Sequence, residues 1–134
     1  MKRFLTLLLA AVAALSVACS EMTLEEAVAM ANRDCPMRID EATVITKIER
    51  HGGYVVYTAD VEEGADGDVN KLNDSALNAQ VKQNILAYLQ KGMLDGDARS
   101  FISLCKANRV GIEYRYVGSR TKGEAVVRIE HSEL

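Results

Sequence analysis

The chain has 134 residues, of which 49% are hydrophobic and 26% charged, and its formal net charge is −3. This length fits one globular domain, and the composition excludes a disordered, collagen-like or low-complexity chain. With no tryptophan, 5% aromatic residues and no basic cluster beyond Arg120 and Lys122, the sequence also excludes a nucleic-acid-binding protein, which needs cations for phosphates and rings for bases.

Residues 1–18 have the pattern of a secretory signal peptide. Lys2 and Arg3 precede an apolar run over residues 4–17 that contains two polar side chains. The run is shorter than the about 20 apolar residues of a transmembrane helix, so cleavage is predicted. The segment before Cys19 suits an ordinary leader peptidase, and it also resembles the lipobox of bacterial lipoproteins.

Both kinds of cleavage fall before Cys19, so we predict a single domain over residues 19–134 with Cys19 as the lipidation site. Loss of Lys2 and Arg3 leaves 14 basic and 19 acidic residues, a net charge of −5. Residues 20–22 alone separate Cys19 from the first helix cap, a tether of roughly 10 to 15 Å. The anchored domain is therefore expected to sit directly on its membrane.

The first elements of the domain are a helix and a hairpin. Thr23 and Glu26 form a capping-box pattern ahead of helically spaced apolar residues, and Pro36 ends this helix. β-branched and aromatic residues over 42–49 and 54–61 predict two strands, joined by a glycine-rich turn.

An acidic loop over residues 62–68 leads to the next two predicted helices. Apolar residues recur at helical spacing from Leu72 to Leu89, which predicts a helix of about five turns that ends at Gly92. A shorter helix follows, capped by residues 95–97 and with an apolar face that includes Cys105.

Alternating apolar residues over 110–117 and 125–129 predict a second hairpin, with its turn at 118–123. The element order α-ββ-αα-ββ predicts an α+β fold. We expect a four-stranded antiparallel sheet built from the two hairpins, with the helices packed on one face.

Strand alternation leaves apolar side chains on the sheet face that points away from the helices, where polar residues are usual. We interpret this face as an interaction surface for an envelope protein or a second copy of the chain. The alternatives are that the first helix or the N-terminal segment covers it, or that a strand is one residue out of register. The residues concerned are Ile45, Tyr54, Val56, Val117 and Val126.

Cys35 and Cys105 permit two interpretations. In an exported protein they can form a disulfide, closing a loop of about 70 residues. Alternatively, Cys105 is a small buried hydrophobic residue. Both interpretations stay open, because a disulfide needs Cα atoms within about 7 Å and the sequence does not give that distance.

The sequence predicts no catalytic centre, cofactor or metal site. It contains no Cys-x-x-Cys arrangement, serine elbow, phosphate loop or dinucleotide fingerprint. His51 flanks a turn and His131 follows the last strand, so neither is held as an oriented base for a cysteine, and the cysteines and histidines lack zinc-site spacing. A loop that starts at Asp66 begins like a calcium loop up to Asn70. It departs from that pattern at the sixth position, which is Lys71, and at the twelfth, which is Leu77.

Four segments of the domain carry a resemblance to known proteins. They are Asn32-x-x-Cys35-Pro36-Met37-x-Ile39-Asp40, Tyr54-Val55-Val56-Tyr57, Leu104-Cys105-x-x-Asn108 and Gly111-Ile112-x-Tyr114-Arg115-Tyr116-Val117-Gly118. These segments resemble a group of small exported proteins, lipoproteins of Bacteroidetes-type bacteria. More distant proteobacterial secreted proteins are similar in a Pro-Met-x-Asp segment and a late Tyr-x-Tyr strand. The resemblance implies an exported α+β domain and no catalytic residue. The position of Cys105 resembles one that is disulfide-bonded in the distant proteins, to a partner near the C-terminus where this chain has no cysteine.

These observations predict a cell-envelope protein, periplasmic or in the outer membrane, whose lipid anchor joins it to the membrane. We expect it to act by non-catalytic contact with another envelope protein or with itself. The alternative is a carrier of a small ligand, with a cleft between sheet and helices lined by Tyr54, Tyr57, Tyr114 and Tyr116.

Overall fold

The computed structural model describes residues 22–90 and 96–134. Within these ranges, no helix is both long and apolar enough to cross a bilayer. Short 3₁₀ helices occupy Val69–Asn73 and His131–Glu133. In chain order, the helices and strands are α1 (Leu24–Arg33), β1 (Met37–Arg38), β2 (Thr43–His51), β3 (Tyr54–Val61), α2 (Ser75–Gln90), α3 (Gly96–Ala107), β4 (Gly111–Gly118) and β5 (Glu124–Ile129).

Helix α1 begins and ends where the sequence predicts. The Glu26 backbone N–H donates to the Thr23 hydroxyl oxygen at 3.2 Å, and the Thr23 hydroxyl donates to the Glu26 carboxylate at 3.1 Å. These contacts satisfy one of the free N–H groups of the first turn. The helix ends at Arg33, ahead of Pro36, which cannot continue it.

The sheet has five strands in the order β1-β2-β3-β4-β5. The pair that joins the two hairpins, β3 and β4, is parallel, and we call it the central pair. The other three pairs are antiparallel, so each of the two predicted hairpins is present. The α+β class is correct. The prediction of a four-stranded antiparallel sheet is wrong, both in the number of strands and in the direction of the central pair.

The physical reason lies in the connection between the hairpins. β3 ends at Val61 beside Gly118, whereas β4 begins at Gly111 beside Tyr54, at the opposite end of the sheet. The chain therefore returns through a 3₁₀ helix and two α-helices before it enters β4. A parallel pair requires such a crossover of a dozen or more residues. The fifth strand, β1, has two residues and so shows no alternation in the sequence.

The three α-helices that the structure describes contribute to one hydrophobic core on one face of the sheet. Leu24 and Val28 enter it from α1, Ile85 from α2, and Phe101 and Cys105 from α3. The sheet contributes every second side chain of β3, β4 and β5 to this core, together with Ile45 and Ile48 of β2. These side chains are Ile45, Ile48, Val55, Tyr57, Ala59, Val61, Ile112, Tyr114, Tyr116, Ala125, Val127 and Ile129.

The helix predicted to include Leu72 is divided in the structure. Leu72 lies in the 3₁₀ helix Val69–Asn73, and Asp74 is extended, with ψ of 124°. α2 begins at Ser75, where the Asp74 carboxylate accepts a hydrogen bond from the Leu77 N–H at 3.0 Å. Leu72 is buried like the apolar residues of α2, so apolar spacing alone does not reveal the break.

Asparagine side chains bind backbone groups at both edges of the sheet. In the part of β2 that lies beyond its pairing with the two-residue strand β1, the Asn32 side-chain oxygen accepts from the Ile48 N–H at 2.9 Å. At the β5 edge, the Asn78 amide donates to the carbonyls of Val126 and Leu72, both at 2.9 Å. The Asn73 amide donates to the carbonyl of Glu124 at 3.2 Å. Each edge is thus joined to an adjacent helix.

We predict that Asn78→Asp destabilises the domain by about 1 to 3 kcal/mol, because it replaces a doubly donating amide with a carboxylate that faces two carbonyl oxygens. Urea denaturation at neutral pH measures the loss. Asn84→Asp, the same change at an exposed position of α2, is the matched control and should stay within about 0.5 kcal/mol. Equal losses in the two variants would contradict this role for Asn78.

Candidate functional site

The predicted interaction surface is divided between the two faces of the sheet. Tyr54, Val56, Val117 and Val126 point away from the helices, as expected. Ile45 does not, because its side chain is 1% exposed and belongs to the core. We call the face opposite the helices the outer face. Among its members are Lys47, Glu49, Tyr54, Val56, Thr58, Glu113, Arg115, Val117, Glu124, Val126 and Arg128.

A β-bulge explains the position of Ile45. The register of β2 against β3 shifts between Ile45 and Lys47, so Thr46 is an additional residue in β2. Ile45 pairs with Ala59 and Ile48 with Tyr57, and all four side chains enter the core. Without the bulge, residues 45 and 48 would lie on opposite faces. Strict alternation across this strand therefore placed Ile45 on the wrong side.

The centre of the outer face is a buried carboxylate. Glu113 is 2% exposed, yet it lies on the outer face, away from the helices of residues 22–90 and 96–134. Its two oxygens accept from Arg115 Nη2 at 3.0 Å and from Arg128 Nε at 2.7 Å. Arg115 also approaches Glu124, with 3.4 Å between Nε and Oε1. Glu113 thus binds Arg115 of its own strand, β4, and Arg128 of the neighbouring strand, β5.

Arg128 extends this arrangement to the edge of the face. Its guanidinium lies 5.2 Å from the centre of the Tyr54 ring, within the range of a cation–π contact. The Tyr54 hydroxyl donates to Glu130 at 2.6 Å, and this hydrogen bond raises the pKa of Tyr54. The hydrogen bond to Glu113 raises the pKa of Arg128 because it favours the charged guanidinium, whereas the bond to Glu130 favours the neutral hydroxyl of Tyr54.

These charged side chains change the character of the outer face. Val56 is flanked by Glu49 and Glu113 in the strand register and is only 5% exposed. Among the residues that the structure describes, Met30 of α1 is the exposed large hydrophobic residue. The outer face is therefore a pattern of paired charges above partly covered apolar side chains, and not an open apolar patch.

The four tyrosines proposed to line a cleft do not share one space. Tyr57, Tyr114 and Tyr116 are buried in the core, where the rings of Tyr57 and Tyr114 lie 5.1 Å apart between centroids. Burial raises the pKa of Tyr57 and of Tyr114. Tyr54 lies on the outer face, on the other side of the sheet. The arrangement is that of a packed aromatic core with one tyrosine outside it.

Cys35 and Cys105 are both free thiols in the structure. Cys35 is partly buried, 3.8 Å from the carbonyl oxygen of Ala31, and Cys105 is 0% exposed. Burial raises the pKa of Cys35 and raises that of Cys105 to about 12. Cys105 thus matches the expectation of a small buried hydrophobic residue. The predicted lipidation site Cys19 and the signal peptide lie outside the described residues.

The structure also places a buried carboxylate within the predicted acidic loop over residues 62–68. Glu63, the second residue after β3, accepts from the backbone N–H groups of Thr121 at 2.8 Å, Arg120 at 3.0 Å and Val69 at 2.7 Å. The Thr121 hydroxyl lies 3.0 and 2.9 Å from its two oxygens. A Cβ on Gly118 would overlap this carboxylate. Nothing in the acidic run distinguishes Glu63 from its neighbours.

The Glu63 network joins the loop after β3 to the β4–β5 turn. Burial raises the pKa of Glu63, but the hydrogen bonds from Thr121, Val69 and Arg120 outweigh this effect and lower the pKa from 4.5 to about 2. Because the pKa is lower in the folded state, the carboxylate stabilises the fold above about pH 4.5. This stabilisation is lost as the pH falls towards 2. The role of Glu63 is structural.

A shallow groove of about 260 Å³ opens near the Glu63 network. The Arg38 guanidinium, at its rim, donates to the carbonyls of Asp40 and Glu41, both at 3.1 Å. The volume of the groove is below about 300 Å³, the lower limit of typical small-molecule pockets. Its lining consists of Arg38, Ala42, Val44, Asp60, Val61, Glu62 and Ser119.

Within the described ranges, no three histidine, cysteine or acidic side chains form a group that could hold a metal ion. His51, at the end of β2, and His131, in the last 3₁₀ helix, are both exposed.

Comparisons with known proteins relate the chain to others through its fold. No protein-family model matches the sequence, and no curated protein matches it. The crystal structure of PA3611 from Pseudomonas aeruginosa, described as a "putative secreted protein", is similar, with a TM-score of 0.55. The match covers 82% of this chain and 88% of PA3611 at 14% sequence identity. At this identity the similarity establishes a shared fold.

We predict that Glu63→Gln lowers the free energy of unfolding by about 1 to 3 kcal/mol at neutral pH, because it removes a charged acceptor from several buried hydrogen bonds. The difference from the wild-type protein should shrink as the pH falls from about 4.5, since Glu63 is then protonated in the unfolded chain. Chemical denaturation at several pH values measures both effects. Glu62→Gln, at the exposed neighbouring position, is the control. A difference that does not change with pH would disprove the role of the charge.

We predict that Cys105 reacts with a thiol reagent only as fast as the native protein unfolds, since its side chain has no exposed surface. Cys35, which is partly exposed, should react first. Mass spectrometry of the labelled peptides over time distinguishes the two positions, and a Cys35→Ser variant isolates Cys105. Rapid labelling of Cys105 in the folded protein would contradict the buried position.

Proposed function

We propose that this chain is an exported, lipid-anchored protein of the cell envelope, in the periplasm or the outer membrane. Its domain is a non-catalytic module that contacts another envelope protein, or a second copy of itself, through the outer face of the sheet. The Bacteroidetes-type lipoprotein group is the family we propose for it, on the basis of the sequence segments quoted above.

Two observations support export. Residues 1–18 combine a basic start, an apolar run and a small-residue cleavage segment, which is the pattern of a signal peptide. The fold is also similar to that of PA3611, a protein described as a "putative secreted protein", over most of both chains. Cys19 directly follows the predicted cleavage segment, and this position supports the lipid anchor.

The observation that carries the contact proposal is the arrangement around Glu113. All three described helices join the core on the opposite face, so Arg115 and Arg128 are positioned by a carboxylate instead of by covering elements. Their side chains remain 39% and 55% exposed. Charged groups held in fixed places favour a partner with a complementary charge pattern, and they contribute to its selection more than to raw affinity.

The positions of the thiols support a non-catalytic role. A nucleophilic cysteine is partly exposed and has a lowered pKa. Cys105 has the opposite properties, because burial raises its pKa to about 12, and burial also raises the pKa of Cys35.

The anchor and the contact surface are tested in the native host. Intact mass measurement of the protein from the membrane fraction should show a chain that begins at Cys19 and carries a diacylglyceryl group. A photo-crosslinking amino acid in place of Lys47, which is exposed on the outer face, should give one discrete adduct. The yield of that adduct should fall at high salt, because the contact is made by exposed charges.

The matched position for the crosslinker is Lys71, an exposed lysine in the 3₁₀ helix Val69–Asn73, away from the outer face. It should give no such adduct. A mature chain without lipid would disprove the anchor. Adducts of equal yield at both positions, or none from Lys47, would disprove contact through the outer face.

A further inference from the structure

The two ends of the sheet differ in the residues that they carry. We call one end the turn end: it comprises the first turn of α1 and residues 50–54, 106–111 and 129–131. The other, the acidic end, comprises residues 38–42, 60–68 and 118–123. β4 has eight residues and runs from one end to the other, so the two ends lie about 25 Å apart.

The N-terminus of the domain lies at the turn end. α1 begins at Leu24, and Glu25 in its first turn forms an ion pair with Arg50 near the end of β2. The Gly111 N–H donates to the carbonyl of Gly53 at 2.9 Å, which fixes the start of β4 at this same end. Any anchor that precedes α1 is therefore attached at the turn end.

The length of the tether limits how far this end can move from a membrane. The sequence has three residues, 20–22, between Cys19 and the helix cap Thr23. Even fully extended, they span roughly 10 to 15 Å. A lipid on Cys19, which the proposed function assumes, therefore keeps the turn end within that distance of the headgroups.

Most of the net negative charge lies at the acidic end. Seven carboxylates stand there against three basic side chains, a net charge of −4, whereas the chain from Cys19 onward has 14 basic and 19 acidic residues. At the turn end, Arg50, Lys106 and Arg109 balance Glu25, Glu26 and Glu130. The residues of the acidic end are Asp40, Glu41, Asp60, Glu62, Glu63, Asp66 and Asp68 on one side, and Arg38, Arg120 and Lys122 on the other.

Charge and tether favour the same orientation. A bilayer with anionic lipids repels nearby carboxylates, and the repulsion falls off over a Debye length of about 8 Å at physiological ionic strength. A domain that lay on its side would bring the acidic end into this layer. With the turn end down, the acidic end is about 25 Å away, beyond the reach of the surface potential.

We propose that the turn end is the membrane-facing surface of the anchored domain on an anionic phospholipid bilayer. The acidic end points away from the headgroups, and the outer face stands roughly perpendicular to the membrane, accessible from the side. This inference rests on the proposed lipid anchor and adds to it the surface that meets the lipid.

The test uses the full lipidated chain in vesicles of phosphatidylethanolamine with phosphatidylglycerol. A water-soluble amine-acylating reagent labels lysines. Mass spectrometry compares the labelling rate of Lys106 at the turn end with that of Lys122 at the acidic end, and both side chains are exposed. Relative to the same protein in detergent, Lys106 should react several-fold more slowly on vesicles. Lys122 should react at an unchanged rate.

A charge-reversal variant tests the cause of the orientation. Glu62→Lys with Asp66→Lys adds positive charge to the acidic end, at two positions whose side chains are exposed. In this variant on anionic vesicles, Lys122 should also be protected, so that it reacts more slowly than in detergent. On vesicles of phosphatidylcholine alone, which carry no net charge, the variant should protect Lys122 no more than the wild-type chain does.

Failure of this inference is distinct from failure of the anchor. A lipid on Cys19 with equal protection of Lys106 and Lys122, or with protection of Lys122 alone, would overturn the orientation and leave the anchor standing. A mature chain without lipid on Cys19, read from the intact mass of the same preparation, would overturn both.

Discussion

The parallel pairing of β3 with β4 is the constraint on which the rest of the structure depends. It joins the two hairpins from Tyr54 beside Gly111 to Val61 beside Gly118. A parallel pair obliges the chain to return to its starting end, so the intervening segment crosses the sheet and places its helices over one face. The opposite face consequently has no helix of the described chain over it, and the loops that precede and follow the crossover lie at opposite ends.

Much of the local structure could be predicted from the sequence, because it depends on neighbouring residues. The Thr23 cap, the stop before Pro36 and both hairpins follow from short-range chemistry that is visible in the sequence. The direction of the central pair could not be predicted, since the same two hairpins can pair either way until the crossover is known. The two-residue strand Met37–Arg38 carries too little pattern to be recognised.

The candidate site was predicted in part, and the errors have specific causes. Tyr54, Val56, Val117 and Val126 were placed on the correct face by alternation, whereas the bulge at Thr46 moved Ile45 into the core. The larger error concerned the character of the face. A count of apolar residues does not show that Glu113 sits among them and holds Arg115 and Arg128 over the surface. Glu63 was missed for a related reason: apart from Val69, its donors Arg120 and Thr121 come from more than fifty positions away.

The asparagines at the sheet edges have a consequence for how this protein can associate. A bare strand edge is a template to which any extended segment can add, and this is a common route to aggregation. Here Asn32 occupies an N–H of β2, while Asn73 and Asn78 occupy carbonyls of β5. These contacts stand in the way of strand addition, which would have to displace a helix-borne side chain first. Association is thereby directed towards side-chain surfaces, where recognition is selective, and away from indiscriminate backbone pairing in a crowded compartment.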